Sequence, residues 1–255
     1  MISMEEISKD FSQFHDEWLV IGLGTTNWYR RNGETIVDGL LKEARFFWTD
    51  PTSEPIGKLY DLKKSIPTEQ EKLITPMTNV DHKRPLFPFM GIAVCDPADS
   101  RKITLKQGQN LHETLETYFS ENNIGLAAVK IDNAHIRDLQ FATGRYLPIG
   151  GLDLSAGYSL EQNFSFGEED KAIWNFRGLY SVNPTIQDII SISNHPLHLH
   201  GYEADLSLGG HVKQAILMEK TDINIFPVKD IKVSIKNLDV AVLPINPSAE
   251  NGNQM

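Results

Sequence analysis

Three histidines in the C-terminal third, His198, His200 and His211, constrain this chain more than any other feature. They stand in His198-Leu199-His200 and Gly209-Gly210-His211-Val212, at spacings of two and eleven residues. Side chains two apart on a β-strand leave the same face with Cα atoms roughly 6 to 7 Å apart, so His198 and His200 can reach one ion. The glycine pair permits the positive φ angles of a tight return, which brings a second strand, starting at His211, antiparallel to the first. Three neutral imidazoles leave a coordination position open, as in a catalytic rather than a structural zinc site. The flanks read as strand, with Ile189, Ile190 and Ile192 before the triplet and Val212, Ile216 and Leu217 after it. The neighbouring His195 is read as an ordinary hydrogen-bonded residue.

The donor set narrows the metal. Cys95 is the only cysteine, so thiolate ligation by a cysteine pair and an intrachain disulfide are both excluded. Imidazole ligands suit zinc first, with iron, manganese, cobalt, nickel and copper also compatible. A lone cysteine fits a reducing cytoplasm. The start of the chain has neither a basic segment nor an apolar one, so no secretory signal is expected, and no apolar run approaches a membrane span. A formal net charge of −10, with no basic stripe, argues against a nucleic-acid partner.

At 255 residues the chain can bury a full core. The clearest helix signal lies over Gln107 to Glu121, where Leu111, Leu115, Tyr118 and Phe119 recur on one face. Most of the remainder reads as strand: Trp18 to Leu23, Thr35 to Val37, Leu86 to Val94, Ile124 to Ile131 and Ile186 to Ser193. Asp230 to Leu243 alternates and then shifts phase, predicting a bulge or turn near Lys236-Asn237. Asp50 to Asp81 is a polar, proline-punctuated excursion with one helical turn near Glu69 to Leu73. The glycine-rich stretch from Arg145 to Ser165 reads as a junction. The expectation is an α+β protein of two β-rich subdomains with mixed or antiparallel sheets and few helices. The first subdomain, residues 1–145, carries the long helix, and the second, 146–255, carries the histidine hairpin.

Other candidates for chemistry are weaker. Glu34, in Asn32-Gly33-Glu34, is a turn residue by default. Glu203 and Asp205 lie between His200 and His211 and read as loop acids. Lys130 interrupts an otherwise apolar strand and needs an anion, either Asp132 two residues on or a bound carboxylate. Arg177 could clamp a carboxylate with both its nitrogens but reads as a structural ion pair. Gly22-Leu23-Gly24 lacks the third glycine of a dinucleotide loop, and Ser159 lacks the closing glycine of a nucleophile elbow. Trp28, Trp48 and Trp174 read as core.

Taken together, these residues resemble the α-acetolactate decarboxylase family. The likeness is carried by His198-Leu199-His200 with Gly209-Gly210-His211-Val212, by Gly22-Leu23-Gly24-Thr25 through Asn32-Gly33-Glu34, by Lys130-Ile131-Asp132-Asn133, and by Phe176-Arg177-Gly178. It implies that His198, His200 and His211 hold zinc in a cytoplasmic homodimer. The implied reaction converts the small-molecule substrate 2-acetolactate to acetoin and carbon dioxide. Glu34 is then the acid/base group and Lys130 the cation for the substrate carboxylate. The family's arginine at the Lys130 position is replaced, which keeps the charge but loses the planar fork. The family's tail glutamate has only Glu250 as a counterpart.

Rival readings are a related 2-hydroxy-3-oxo acid as substrate, for decarboxylation or isomerisation, and a non-catalytic metal-binding module such as the plant and prokaryote conserved domain. A cupin also places His-x-His on a strand. Its last histidine normally lies much farther downstream, and no histidine follows His211.

Overall fold

The computed structural model describes residues 14–28, 31–51, 53, 55, 57–62, 86–146, 158–163, 172–190, 195–228, 230–235 and 241–244. Along the chain these form β1 (Leu19–Trp28), β2 (Arg31–Leu40), β3 (Arg45–Asp50), β4 (Lys58–Asp61), β5 (Leu86–Cys95), β6 (Arg101–Leu105), helix α1 (Leu111–Glu121) and β7 (Leu126–Tyr146). They continue with β8 (Tyr158–Asn163), β9 (Ala172–Ser181), helix α2 (Pro184–Ile190), β10 (Leu197–Glu203), β11 (Gly209–Leu217), β12 (Thr221–Pro227), β13 (Asp230–Ile235) and β14 (Ala241–Pro244). The chain is β-rich with few helices, as its alternating apolar patterns predict. Every strand pairing among the described residues is antiparallel.

The strand β7 organises the sheet. Its first part pairs with β9 from Leu126 to Ile136, and its later part pairs with β11 from Ile136 to Ala142. Since β9 pairs with β10 and β10 with β11, these four strands close on themselves. β7 can serve both ends because it bends. The ladder slips between Ile131 and Ala134, where Asn133 takes a φ of 54°. Asparagine tolerates this left-handed conformation, and the Asn133 amide donates to Asn175 Oδ1 at 2.9 Å. The sheet then passes from β7 to β2 at Gly33↔Gly144 and on through β1, β5, β13 and β14. Strands from residues 1–145 and from 146–255 therefore share one hydrogen-bonded path.

The closed strands and α1 enclose the largest apolar cluster, which includes Phe141, Trp174, Phe176, Leu199 and Val212. Helix α1 starts later than its periodicity predicts. Asn110 caps it by accepting from the His112 and Glu113 amides, which leaves 107–110 as a turn. Leu111, Leu115 and Phe119 are fully buried on its inner face, each stabilising the fold by about 2 kcal/mol. Trp48 and Trp174 are core, as expected.

Part of Ile186 to Ser193 departs from its expected strand. Residues 184–190 are helix α2, because Pro184 opens a turn in which Asn183 Oδ1 accepts from the Thr185 amide. A short isoleucine run satisfies a buried helix as readily as a strand. Lys58–Asp61, within the predicted excursion, is a strand paired with β3. The helical turn expected near Glu69 to Leu73 and the turn near Lys236-Asn237 lie outside the described residues, as does Glu250.

The glycine pair before His211 also works differently from the expectation. Neither residue has a positive φ; both lie in β11, opposite Tyr202 and Gly201. They are needed for close approach, since a Cβ on Gly210 would sit 2.4 Å from the Ala142 carbonyl oxygen. Gly210→Ala should therefore cost roughly 1 to 3 kcal/mol, seen as a lower thermal midpoint. Gly125→Ala, whose Cβ meets only Val182 Cγ2 at 3.7 Å, is the tolerated control.

Candidate metal centre

Strand period delivers the histidines. His198, His200 and Tyr202 leave one face of β10, while Leu197 and Leu199 enter the core on the other. His211 is directly opposite His200 across the β10–β11 ladder. The five residues between the two strands form a wider loop than a two-residue turn, with Leu206 at a φ of 67° and its amide bonded to the Glu203 carbonyl. Ser207 donates to Glu203 and Asp205 accepts from the Ser207 amide, so both acids serve the loop. His195 is exposed and stands outside the convergent set.

Three ring nitrogens meet. His198 Nε2 lies 2.7 Å from His211 Nδ1 and 3.1 Å from His200 Nε2, and the three ligand atoms all fall within 4.8 Å of one another. His200 Nδ1 is 2.8 Å from the Thr35 carbonyl oxygen. A carbonyl only accepts, so the Nδ1 proton is fixed there and the Nε2 lone pair faces the cluster. One proton on His198 Nε2 could satisfy one neighbour but not both. A single cation satisfies all three. Tetrahedral zinc with Zn–N bonds near 2.05 Å needs donors about 3.3 Å apart, within reach of this arrangement by small ring movements.

Burial, followed by the charge of His198, holds the His200 and His211 pKa values well below the ordinary imidazole value. Both rings are thereby kept neutral and available as ligands. His112, on the first turn of α1, is lowered to about 4 by burial first, then by His198 and His195, and its Nδ1 has no hydrogen-bond partner. Nothing in the sequence spacing of His112 pointed to the cluster.

Glu34 reaches the same place from β2. Its Oε2 is 3.4 Å from His200 Nε2, and its side chain is 16% exposed, so solvent can still exchange protons with it. Its backbone is pinned by Thr49, whose Oγ1 accepts from the Glu34 amide at 2.9 Å and donates to the Thr143 carbonyl. Gly33 is obligatory beside it, because a Cβ there would lie 1.8 Å from the Thr49 carbonyl oxygen.

Arg177 and Lys130 sit on the same face as His200, one and two strands away: Arg177 opposes His200, and Lys130 opposes Arg177. Lys130 therefore lies roughly 10 Å from His200 by backbone spacing. Its Nζ is 3.1 Å from Asp38 and 3.3 Å from Asp132. Arg177, 1% exposed, donates to Asp38 at 2.5 Å, to Asp132 at 2.6 Å, and to the carbonyls of Ile131 and Phe176. The expected Lys130–Asp132 pair is thus present, and Arg177 is an ion-pair residue. Asp38 and Tyr202, which sequence reasoning passed over, complete the network, with the Tyr202 hydroxyl donating to Asp38 at 2.8 Å. Their signal was period two: Asp38 is four residues beyond Glu34, and Tyr202 two beyond His200. Burial alone would raise the Asp38 pKa, but the Arg177 and Lys130 charges outweigh it and hold the carboxyl far below its usual range.

The lowered histidines give a pH signature to the metal-free protein. The unfolded chain takes up protons on these rings below the ordinary value of 6.5, whereas the folded chain resists until the pH is lower. Protons bind preferentially to the unfolded state in that window, so stability falls as pH drops and levels off once the folded rings protonate. Urea midpoints of the metal-free protein should decline as the pH falls from 6.5 to about 4, with His112 contributing over that window and His200 and His211 adding to the loss.

No protein-family model and no curated protein sequence matches this chain. Solved structures do. An acetolactate decarboxylase from Bacillus subtilis subspecies spizizenii is similar with a TM-score of 0.55 and 18% identity, over 89% of this chain and 78% of that one. The α-acetolactate decarboxylase from Bacillus subtilis strain 168 gives 0.54 and 20%, over 88% and 76%. A Staphylococcus aureus protein of unknown function, described as similar to α-acetolactate decarboxylase, gives 0.55 and 13%, also over 88% and 76%. The chain therefore has the fold of an acetolactate decarboxylase.

Proposed function

We propose that this chain is a metal-dependent carboxy-lyase that removes carbon dioxide from a 2-hydroxy-3-oxo acid, with 2-acetolactate as reference substrate and acetoin as product. The observation that carries this reading is the convergence of His198 Nε2, His200 Nε2 and His211 Nδ1 with the Glu34 carboxylate beside them. A divalent ion held by the three histidines, zinc by ligand type, supplies Lewis-acid withdrawal of electrons from the reacting carbons. The bond from the carboxylate carbon to C2 breaks, its electron pair moves towards the adjacent keto group, and carbon dioxide leaves. One proton delivered to carbon completes acetoin. Glu34 is the group that holds and returns that proton, its 16% exposure giving it access to solvent protons. Lys130 supplies positive charge on the side of the departing carboxylate by loosening its contact with Asp132, the more exposed of its two partners.

A second reading is favoured by one observation. Lys130 already has two carboxylate partners, which leaves less charge for a substrate carboxylate and suits an isomerase of the same acids. Product analysis separates the two readings: rearranged acid in place of acetoin would favour the isomerase.

Colorimetric acetoin formation from racemic 2-acetolactate, by metal-stripped and zinc-reconstituted protein, tests the first reading. Activity should appear only on reconstitution, and a zinc-loaded protein that forms no acetoin would overturn it. His198→Ala should lose metal and activity together. Glu34→Gln should keep the metal and lose activity by about 100-fold or more.

A further inference from the structure

We infer that Asp38, Arg177 and Tyr202 form an electrostatic clamp that sets the geometry of the metal centre, acting as positioning residues. The inference rests on the metal-site part of the proposed function and not on the identity of the substrate.

β2 and β10 are not neighbours in the sheet, since β9 and β7 lie between them. No ladder of backbone hydrogen bonds fixes the distance from Glu34 and the Thr35 carbonyl to His200. Side chains must do so. One tie is the His200 Nδ1 bond to the Thr35 carbonyl at 2.8 Å. The other lies farther along both strands, four residues beyond Glu34 on β2 and two beyond His200 on β10. Asp38, on the Glu34 face of β2, accepts from Arg177, the residue opposite His200 on β9. The same carboxylate oxygen accepts from Tyr202, two residues beyond His200 on β10. Arg177 Nη2 is also 3.3 Å from the Tyr202 hydroxyl, which closes a three-membered network across three strands.

The clamp is buried and rigid in composition. Asp38 is 14% exposed at its side chain and Arg177 is 1% exposed, so water competes little for their bond. Arg177 is held in turn by the Ile131 and Phe176 carbonyls, which stops its head from following Asp38 if β2 recedes. Weakening the clamp therefore lets Thr35 and Glu34 withdraw from His200. His200 then loses the acceptor that fixes its tautomer. Outer hydrogen bonds of this type commonly matter 10- to 100-fold in metal affinity.

Tyr202→Phe removes one bond of the clamp and retains the ring packed on Phe47. Asp38→Asn removes the charge and is the stronger variant. Leu115→Val, in the core beneath α1, is the control for a general loss of stability. Zinc affinity is read by competition with a chelator, and coordination by the visible absorption of the cobalt(II) form. Tyr202→Phe is expected to bind zinc about 10-fold more weakly, and Asp38→Asn up to about 100-fold, each with an altered cobalt spectrum. Leu115→Val should keep wild-type affinity and spectrum while its thermal midpoint falls. If Asp38→Asn does not fold, Tyr202→Phe decides.

Wild-type affinity and spectrum in Tyr202→Phe would overturn the clamp, as would an equal loss of affinity in Leu115→Val. A wild-type chain that binds no zinc overturns the clamp and the metal site together. A wild-type chain that binds zinc but makes no acetoin, with the expected losses in the variants, supports the clamp and overturns the decarboxylase alone.

Discussion

The hydrogen bond from His200 Nδ1 to the Thr35 carbonyl is the contact on which the rest of the site depends. It joins two strands that share no ladder, and it does so with a metal-ligand candidate as donor. By occupying Nδ1 it selects the tautomer that turns the Nε2 lone pair towards His198 and His211. It also brings β2 close enough for Glu34 to meet the same nitrogen at 3.4 Å. The bend in β7 at Asn133 matters because it closes β7, β9, β10 and β11 around the core and leaves the opposite face of β10 turned towards β2.

Period-two arithmetic made the centre of this arrangement legible. His198 and His200 had to share a face, whereas the pairing of His211 with His200 depends on a five-residue loop in place of the expected turn at the glycine pair. The same arithmetic, extended one step from His200 and two from Glu34, predicts Tyr202 on the first face and Asp38 on the second, but only a fold says that these two faces meet. Proximity between β2 and β10 is a long-range fact, carried by strands that are far apart in order, and no local pattern encodes it. The glycine pair shows a related limit. Gly209 and Gly210 were legible as constrained, yet the cause is the approach of Leu59 from β4 to Gly209 and of Ala142 and Phe141 from β7 to Gly210, which spacing within the hairpin could not reveal. For Ile186 to Ile190, the apolar run read as strand, and the capping by Asn183 and Pro184 decided for a helix that buries Ile186.

The electrostatics of the two halves of the site differ in kind, which explains how they coexist. Around Asp38 two cations, the fully buried Arg177 and the partly buried Lys130, face two anions, the partly buried Asp38 and the exposed Asp132, so the group is neutral as a whole. A neutral network avoids much of the several kcal/mol that one unpaired buried charge costs, although the Arg177 Nε is left without a hydrogen-bond partner. The histidine cluster is neutral for another reason, because burial keeps the His200 and His211 rings unprotonated. A divalent ion among these rings would add two positive charges beside the Glu34 carboxyl group, which is 16% exposed. In the proposed reaction, that positive charge would favour an anionic acid over a neutral ketone as substrate.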